Sequence, residues 1–130
     1  MAITNNTLLR VRNLKMHFEG PRRGFWPWQG RAKIKAVDGV DFEIAQGETL
    51  GLVGESGCGK STVARCILQL YRPTTGEVFF QGRDLCQMEG QVLRQVKPKA
   101  QIIFQDPYAS LDPRRTIGYT IGEPLLIGGM

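Results

Sequence analysis

The residues best suited to chemistry in this 130-residue chain form one glycine-rich segment. It reads Gly54-Glu55-Ser56-Gly57-Cys58-Gly59-Lys60-Ser61 and fits the pattern G-x-x-x-x-G-K-[ST] at every required position. Glycines lack the Cβ atom that would keep backbone N–H groups away from dense negative charge, and the lysine adds a mobile positive charge. The pattern therefore predicts a phosphate-binding loop for a nucleotide such as ATP.

Three residues at the end of this loop have distinct predicted roles. Lys60 reaches the β and γ phosphates and stabilises charge during catalysis, Ser61 offers its hydroxyl to Mg²⁺, and Thr62 donates to a neighbouring phosphate oxygen. The full set of predicted nucleotide-binding residues is Gly54, Glu55, Ser56, Gly57, Cys58, Gly59, Lys60, Ser61 and Thr62.

The cysteines and the single histidine suggest little further chemistry. Cys58 lies inside the loop, where N–H dipoles could make its thiol reactive, or the position simply accepts a small residue. With Cys66 and Cys86 it makes an odd number without a C-x-x-C pair, which predicts neither a disulfide framework nor a zinc site. His17 has no Cys, His or carboxylate partner at metal-ligand spacing and is given no catalytic role.

Apolar periodicity predicts the elements that position the loop. Period-two alternation around residues 9–11 and 40–44 predicts strands of an antiparallel sheet. A buried strand at 49–53 should lead into the loop, and a helix should begin near Lys60 and stop at Pro73. The other predicted elements are a strand at 77–81, a weak helix at 88–96, a buried strand at 101–104 and a helix at 117–126. The pattern predicts an α/β fold.

Composition limits the remaining classes of function. A hydrophobic content of 42% and a charged content of 22% indicate a folded globular chain, and no apolar run approaches the roughly 18 residues of a membrane span. The polar residues 1–7 do not resemble a secretion signal. We therefore expect a chain that stays in the reducing cytosol.

The net charge of +5 is concentrated near the start of the chain. Residues 1–35 hold eight Lys or Arg and one acidic residue, whereas the rest hold nine and eleven. Within this region, residues 19–33 contain glycines, prolines and Phe25, Trp26 and Trp28, which predicts an inserted loop. A solvated loop is favoured over a nucleic-acid surface, and contact of the two tryptophans with a membrane or a partner subunit is the alternative.

With their flanks, these motifs resemble the ATP-binding subunits of ABC transporters. The residues that carry the resemblance are Phe18, the segment Ala36-Val37-Asp38-Gly39-Val40-Asp41-Phe42, the segment Gly47-Glu48-Thr49-Leu50 and the loop itself. Residues 101–114, which begin Gln101-Ile102-Ile103-Phe104-Gln105-Asp106-Pro107, are similar to the oligopeptide and dipeptide importer branch, which includes nickel and glutathione importers. The resemblance implies a P-loop NTPase with a RecA-like core and an N-terminal antiparallel β subdomain.

The resemblance also implies roles for residues outside the loop. Gln105 matches the Q-loop glutamine, which senses Mg²⁺ and the γ phosphate and couples ATP binding to the membrane subunits. Phe18 matches the aromatic that stacks on adenine, and a core residue of the first strand is an equal alternative. Asp106 follows an apolar run, so it could instead hold Mg²⁺ in another P-loop enzyme such as a small kinase.

The implied function is ATP binding by the energy-coupling subunit of a peptide importer. Its implied partners are a second ATP-binding subunit, in a homo- or heterodimer, transmembrane permease subunits and, indirectly, an extracytoplasmic binding protein, but no nucleic acid. It would lie at the cytoplasmic face of the inner membrane as a peripheral protein.

In the family, the hydrolytic motifs follow the Q-loop. We therefore expect residues 1–130 to be the N-terminal part of one nucleotide-binding domain, without the helical subdomain and the C-terminal catalytic half. The intact protein would hydrolyse ATP, whereas this chain would bind ATP weakly and hydrolyse little. A non-hydrolysing nucleotide-binding module is the alternative.

Overall fold

The structure, a computed structural model, describes residues 6–22, 31–106 and 110–128. Its described strands form one antiparallel sheet in the order β2-β1-β3-β4. The strands are β1 Thr7–Arg22, β2 Arg31–Ala45, β3 Thr75–Phe80 and β4 Arg83–Asp84. The predicted antiparallel subdomain is therefore confirmed, with a long β1–β2 hairpin as its main part.

Three α-helices accompany the sheet within residues 6–22, 31–106 and 110–128. The first follows the glycine-rich segment, and the last contains Pro124 in its final turn region. The helices are α1 Lys60–Ile67, α2 Gly90–Val96 and α3 Ile117–Ile127, with short 3-10 turns at Leu85–Gln87 and Lys97–Lys99. The predicted helices at 88–96 and 117–126 are confirmed, and no helix of the described part is long and apolar enough to cross a membrane.

The core lies where α1 packs on the inner face of the sheet. Leu14, Val11 and Val78 are almost completely buried on the sheet, and Cys66 is fully buried on α1. The alternation predicted from the sequence places Leu9 and Val11 on this face, because every second residue of a strand points to the same side. Leu14 reaches the same face through a register shift between Val11 and Leu14. The hydrophobic contact between sheet and helix thus fixes α1 beside the β1–β2 hairpin.

The β1–β2 hairpin contains several β-bulges that reset this alternation. In one, Met16 pairs with Val37 while His17 pairs with Lys35, so Ala36 is an extra residue on β2. A similar shift occurs at Gly39, whose φ of 88° lies in the left-handed region that glycine adopts without strain. The hairpin is therefore bent next to the glycine-rich segment instead of running straight.

Two predicted strands are wrong. Residues 49–53 and 101–104 form no strand, and Val53 and Ile103 are 93% and 98% exposed. A run of apolar residues becomes a strand only when a neighbouring strand pairs with its N–H and C=O groups. Among the described strands, none pairs with either segment, so neither forms part of the sheet.

The predicted limits of the inserted loop are also wrong at both ends. β1 continues to Arg22 and β2 begins at Arg31, so residues 19–22 and 31–33 extend the hairpin. Glu19 and Arg31 form an ion pair that helps to hold these ends together. The remaining residues, with Phe25, Trp26 and Trp28, lie outside the described part of the chain.

Candidate nucleotide-binding site

The glycine-rich segment forms a loop that closes around the side chain of Lys60. The Lys60 ammonium donates to the carbonyl oxygens of Gly54 at 2.8 Å and Glu55 at 2.6 Å. It also lies 3.5 Å from the Cys58 sulfur. These contacts hold the positive charge at the centre of the loop, where the motif predicts phosphates.

Gly59 joins the loop to the hairpin and to α1. Its φ is 99°, and a Cβ atom there would lie only 2.3 Å from the carbonyl oxygen of Ala36. Both observations exclude a side chain at this position, since the left-handed region is unfavourable for other residues and the carbonyl leaves no room. Glycine is therefore required at this position both by the left-handed backbone and by the packing against β2.

The N-terminus of α1 is suited to an anion. Gly59 is its N-cap and provides no side-chain cap, and the first turn contains no acidic residue. The unpaired N–H groups of a helix N-terminus carry a partial positive charge that favours phosphate. Lys60 and the exposed Ser61 begin the helix, so they bring an ammonium and a hydroxyl to the same end.

A cleft of about 440 Å³ opens beside this loop. It brings Gln105 to Lys60 and Ser61, although 45 residues separate Gln105 from Lys60 in sequence. Its lining consists of Leu52, Lys60, Ser61, Ala64, Arg65, Ile102, Ile103, Phe104 and Gln105. We call this space the loop cleft.

The loop cleft contains suitable oxygen atoms for Mg²⁺. The Ser61 hydroxyl and the Gln105 amide are oxygen donors of the kind that this ion binds together with phosphates and waters. Among the described residues, no group of three or more His, Cys, Asp or Glu side chains could hold a metal. A Mg²⁺ ion here would therefore depend on these two neutral side chains and on the phosphates that it accompanies.

Phe18 and Asp106, two further residues considered in the sequence analysis, do not line the loop cleft. Phe18 is half-buried and meets Tyr71 edge-on, with 5.6 Å between ring centroids. Tyr71 in turn contacts Arg65, which does line the cleft. The contact with Tyr71 does not make Phe18 a member of the core cluster. Both its stacking on adenine and its role as a core residue stay predictions.

An exposed polar cluster on the hairpin is not evident from the sequence. His17 Nε2 lies 3.1 Å from Asp38 Oδ1, and the Lys35 ammonium lies 3.0 Å from Asp38 Oδ2. The hydrogen bond from Lys35 and then that from His17 hold the pKa of the Asp38 carboxyl below its usual value of 3.8. We call these three residues the Asp38 clamp.

The three cysteines have different environments and no disulfide. Cys58 is exposed in the loop, whereas Cys66 is fully buried in the core. Burial raises the pKa of the Cys66 thiol to about 11 and also raises the pKa of Cys86. Only Cys58 is therefore presented to a thiol reagent beside the predicted phosphate site.

Several curated proteins are similar to this chain over most of its length. The oligopeptide transport ATP-binding protein OppF of Salmonella typhimurium is 52% identical over 118 residues, which are 91% of this chain and 35% of OppF. The dipeptide transport ATP-binding protein DppF of Escherichia coli is 43% identical over 97% of the chain and 37% of DppF. The glutathione import protein GsiA of Pectobacterium atrosepticum is 47% identical over 92% of the chain and 19% of GsiA. The chain thus spans about a third of the length of OppF and DppF.

Solved structures and a family profile give the same result. The dimeric structure of MJ0796, a bacterial ABC transporter cassette, matches 92% of this chain and 47% of its own, with a TM-score of 0.70 and 24% identity. A post-hydrolysis dimer of MJ0796 bound to ADP and Pi matches 68% of the chain and 34% of its own, with a TM-score of 0.55 and 25% identity. These likenesses confirm the predicted P-loop fold. The profile described as ABC transporter matches residues 37–121, so the chain belongs to the ABC transporter family.

Proposed function

We propose that this chain binds the phosphates of ATP and that the protein it represents supplies energy to a peptide importer. The observation that supports nucleotide binding most directly is the meeting of Lys60, Ser61 and Gln105 in the loop cleft at the uncapped N-terminus of α1. A cation, a hydroxyl and free N–H groups at one point favour a polyphosphate over other anions.

Each residue of the site has a proposed role. Lys60 binds the β and γ phosphates, and Ser61 and Gln105 hold Mg²⁺, which spreads the charge of the phosphates when it is bound. Gln105, which lines the same cleft as Lys60 and Ser61, senses the γ phosphate. Thr62 and the loop backbone orient the remaining oxygens.

The peptide cargo is proposed from the relatives. OppF, DppF and GsiA are named for oligopeptide transport, dipeptide transport and glutathione import. All three cargoes are short peptides, so we propose the same class for this protein. The importer would include a second ATP-binding subunit and permease subunits, and the protein would lie at the cytoplasmic face of the membrane.

The chain of 130 residues should release little phosphate by itself. None of the described residues that line the loop cleft is Asp or Glu, so no carboxylate lies there to accept a proton from an attacking water. Phosphate release at the rate of a complete ATPase would contradict this proposal and favour a self-sufficient P-loop enzyme, such as a kinase that uses Asp106.

The test of nucleotide binding is the Lys60→Ala substitution, with ATP affinity measured by isothermal titration calorimetry. A hydrogen bond to a charged group contributes about 1.5–3 kcal/mol, so the dissociation constant should rise roughly tenfold to a hundredfold. Lys99→Ala is the matched control, because Lys99 is exposed and is absent from the cleft lining, and it should change the constant less than about twofold. Equal ATP affinity in wild type and Lys60→Ala would refute the proposal.

The peptide cargo is tested in the organism that carries the gene. Replacing Lys60 by alanine in the chromosome should abolish uptake of labelled di- and oligopeptides and leave uptake of a free amino acid intact. Unchanged peptide uptake with loss of another solute would overturn the assignment of the cargo and leave nucleotide binding untouched.

A further inference from the structure

The bulge at Ala36 lies against the glycine-rich loop at Gly59. Ala36 is the extra residue between the pairs Met16–Val37 and His17–Lys35, and bulges of this kind bend a strand beside a functional site. A Cβ on Gly59 would lie 2.3 Å from the Ala36 carbonyl oxygen and 3.5 Å from a methyl carbon of Val37. The backbone of Gly59 therefore lies directly on the bulge.

The Asp38 clamp closes around the same bulge. In a regular strand, residues 35 and 38 would point to opposite faces, because they are an odd number of positions apart. The extra residue at Ala36 resets the alternation, and this allows the Lys35 ammonium to reach Asp38 at 3.0 Å. The ion pair exists in this form only while the bulge is present.

His17 completes the clamp from the neighbouring strand. Its imidazole contacts the other oxygen of Asp38 at 3.1 Å, and its backbone N–H donates to the Thr74 hydroxyl at 2.9 Å, just before β3. The carboxylate of Asp38 is thus held from β1 and β2 at once. The lowered pKa of this carboxyl agrees with its bonding to both partners.

We infer that Asp38 is a positioning residue for nucleotide binding: with His17 and Lys35 it fixes the Ala36 bulge, which holds Gly59 in the left-handed conformation from which α1 begins. The inference rests on the proposed binding of ATP. Without the clamp, the Ala36 carbonyl moves away from Gly59, and the N–H groups that follow lose their alignment toward the phosphates.

The experiment compares Asp38→Asn with Glu43→Gln. Glu43 lies on the same strand and pairs with the buried Arg10 across the hairpin at 2.6 Å, but it is remote from the bulge. Each variant removes one carboxylate charge from a β1–β2 pair. Asp38→Asn should raise the dissociation constant for ATP about threefold to fivefold, the range of a partly exposed ion pair, and Glu43→Gln should change it less than about twofold.

Two further measurements separate positioning from general loss of structure. The thermal midpoint of each variant shows how far the hairpin is destabilised, and Glu43→Gln should lower it at least as much as Asp38→Asn. The amide resonances of Gly57 and Gly59 should shift in Asp38→Asn and stay in place in Glu43→Gln. If Asp38→Asn does not fold, Lys35→Met, which removes one exposed partner, should show the same shifts and a smaller loss of affinity.

The outcomes distinguish this inference from the proposed function. If wild type does not bind ATP, or if Lys60→Ala binds it equally well, the proposed function fails and the inference fails with it. If Lys60→Ala loses affinity while Asp38→Asn and Lys35→Met match Glu43→Gln in affinity and in glycine resonances, only the positioning role of Asp38 is overturned.

Discussion

Gly59 carries two separate constraints within one residue. Its backbone is in the left-handed region at φ 99°, and its missing side chain makes room for the Ala36 carbonyl. Gly57 has a similar φ of 80°, but no atom lies within 4 Å of the place where its Cβ would be. Substitutions at these two glycines therefore distinguish the cost of a left-handed backbone, which applies to both, from the cost of overlap with the Ala36 carbonyl, which applies only to Gly59.

Alanine substitutions at these glycines should differ in effect. Gly57→Ala should lower the free energy of unfolding by about 1–2 kcal/mol, the cost of a left-handed non-glycine residue. Gly59→Ala adds overlap with backbone, which costs a further 1–3 kcal/mol or so, and should also weaken ATP binding at least tenfold. Urea denaturation and calorimetry measure these effects, and equal stability of the two variants would contradict the packing of Gly59 on β2.

The part of the candidate site that consists of consecutive residues could be predicted from the sequence. The loop from Gly54 to Ser61 was predicted from its spacing and from the strand and helix expected on either side, and Gln105 was predicted from a family resemblance. The loop cleft brings Gln105 to Lys60, and the binding roles of these residues stay predictions. The contact between His17 and Asp38 was missed, because a separation of 21 residues acquires meaning only through strand register. Arg65 was missed as well, since nothing in its local sequence distinguishes a cleft-lining arginine from a solvated one.

At the scale of elements, the β1–β2 hairpin shows what periodicity can and cannot predict. Alternation at residues 40–44 correctly predicted a strand with one exposed face, and the opposite face is half-buried. The register shift at Ala36 could not be predicted from the alternation, because the position of a bulge depends on the partner strand and on the loop that packs on it. The apolar runs at 49–53 and 101–104 were wrongly predicted to be strands for a related reason, because a strand requires a neighbouring strand to pair with.

The Asp38 clamp predicts how this hairpin responds to acid. Because the pKa of Asp38 is lowered on folding, its contribution to stability is complete above the unfolded value near 4 and is lost as pH falls through the lower folded value. Wild type should therefore be more stable than Asp38→Asn at pH 6, and the difference should shrink below about pH 4.

Urea midpoints of both chains at pH 6 and pH 3 measure this change. Lys35→Met removes the partner whose hydrogen bond lowers the pKa of Asp38 most, so that variant should lose less stability in acid than wild type. A gap between wild type and Asp38→Asn that stays constant from pH 6 to pH 3 would show that the carboxylate charge does not contribute.

At the scale of the whole molecule, the described residues leave an apolar surface on α3. Ile117, Ile121 and Leu125 recur every four residues on one side of the helix, and each is at least half exposed. An exposed apolar stripe of this kind is typical of a surface that another protein segment covers. In solution at high concentration, this stripe should bring copies of the chain together.

The substitution Ile121→Glu tests this surface. Burying one such side chain contributes about 1.5–3 kcal/mol, so a charge there should weaken self-association roughly tenfold or more in sedimentation velocity. Val92→Glu is the control, because Val92 on α2 is also 50% exposed and lies on a different surface. Identical sedimentation of both variants and wild type across the concentration range would exclude the stripe as the contact.

The hydrogen bonds of Lys60 have a consequence for which anions the loop accepts. The ammonium that should meet a phosphate already serves the carbonyl oxygens of Gly54 and Glu55. A ligand that draws it away must compensate two hydrogen bonds with contacts of its own, and a single phosphate group has few to offer. A chain of phosphates reaches the ammonium and the N–H groups of α1 together. We therefore expect the loop to bind ligands with several linked phosphates more tightly than ligands with a single phosphate group.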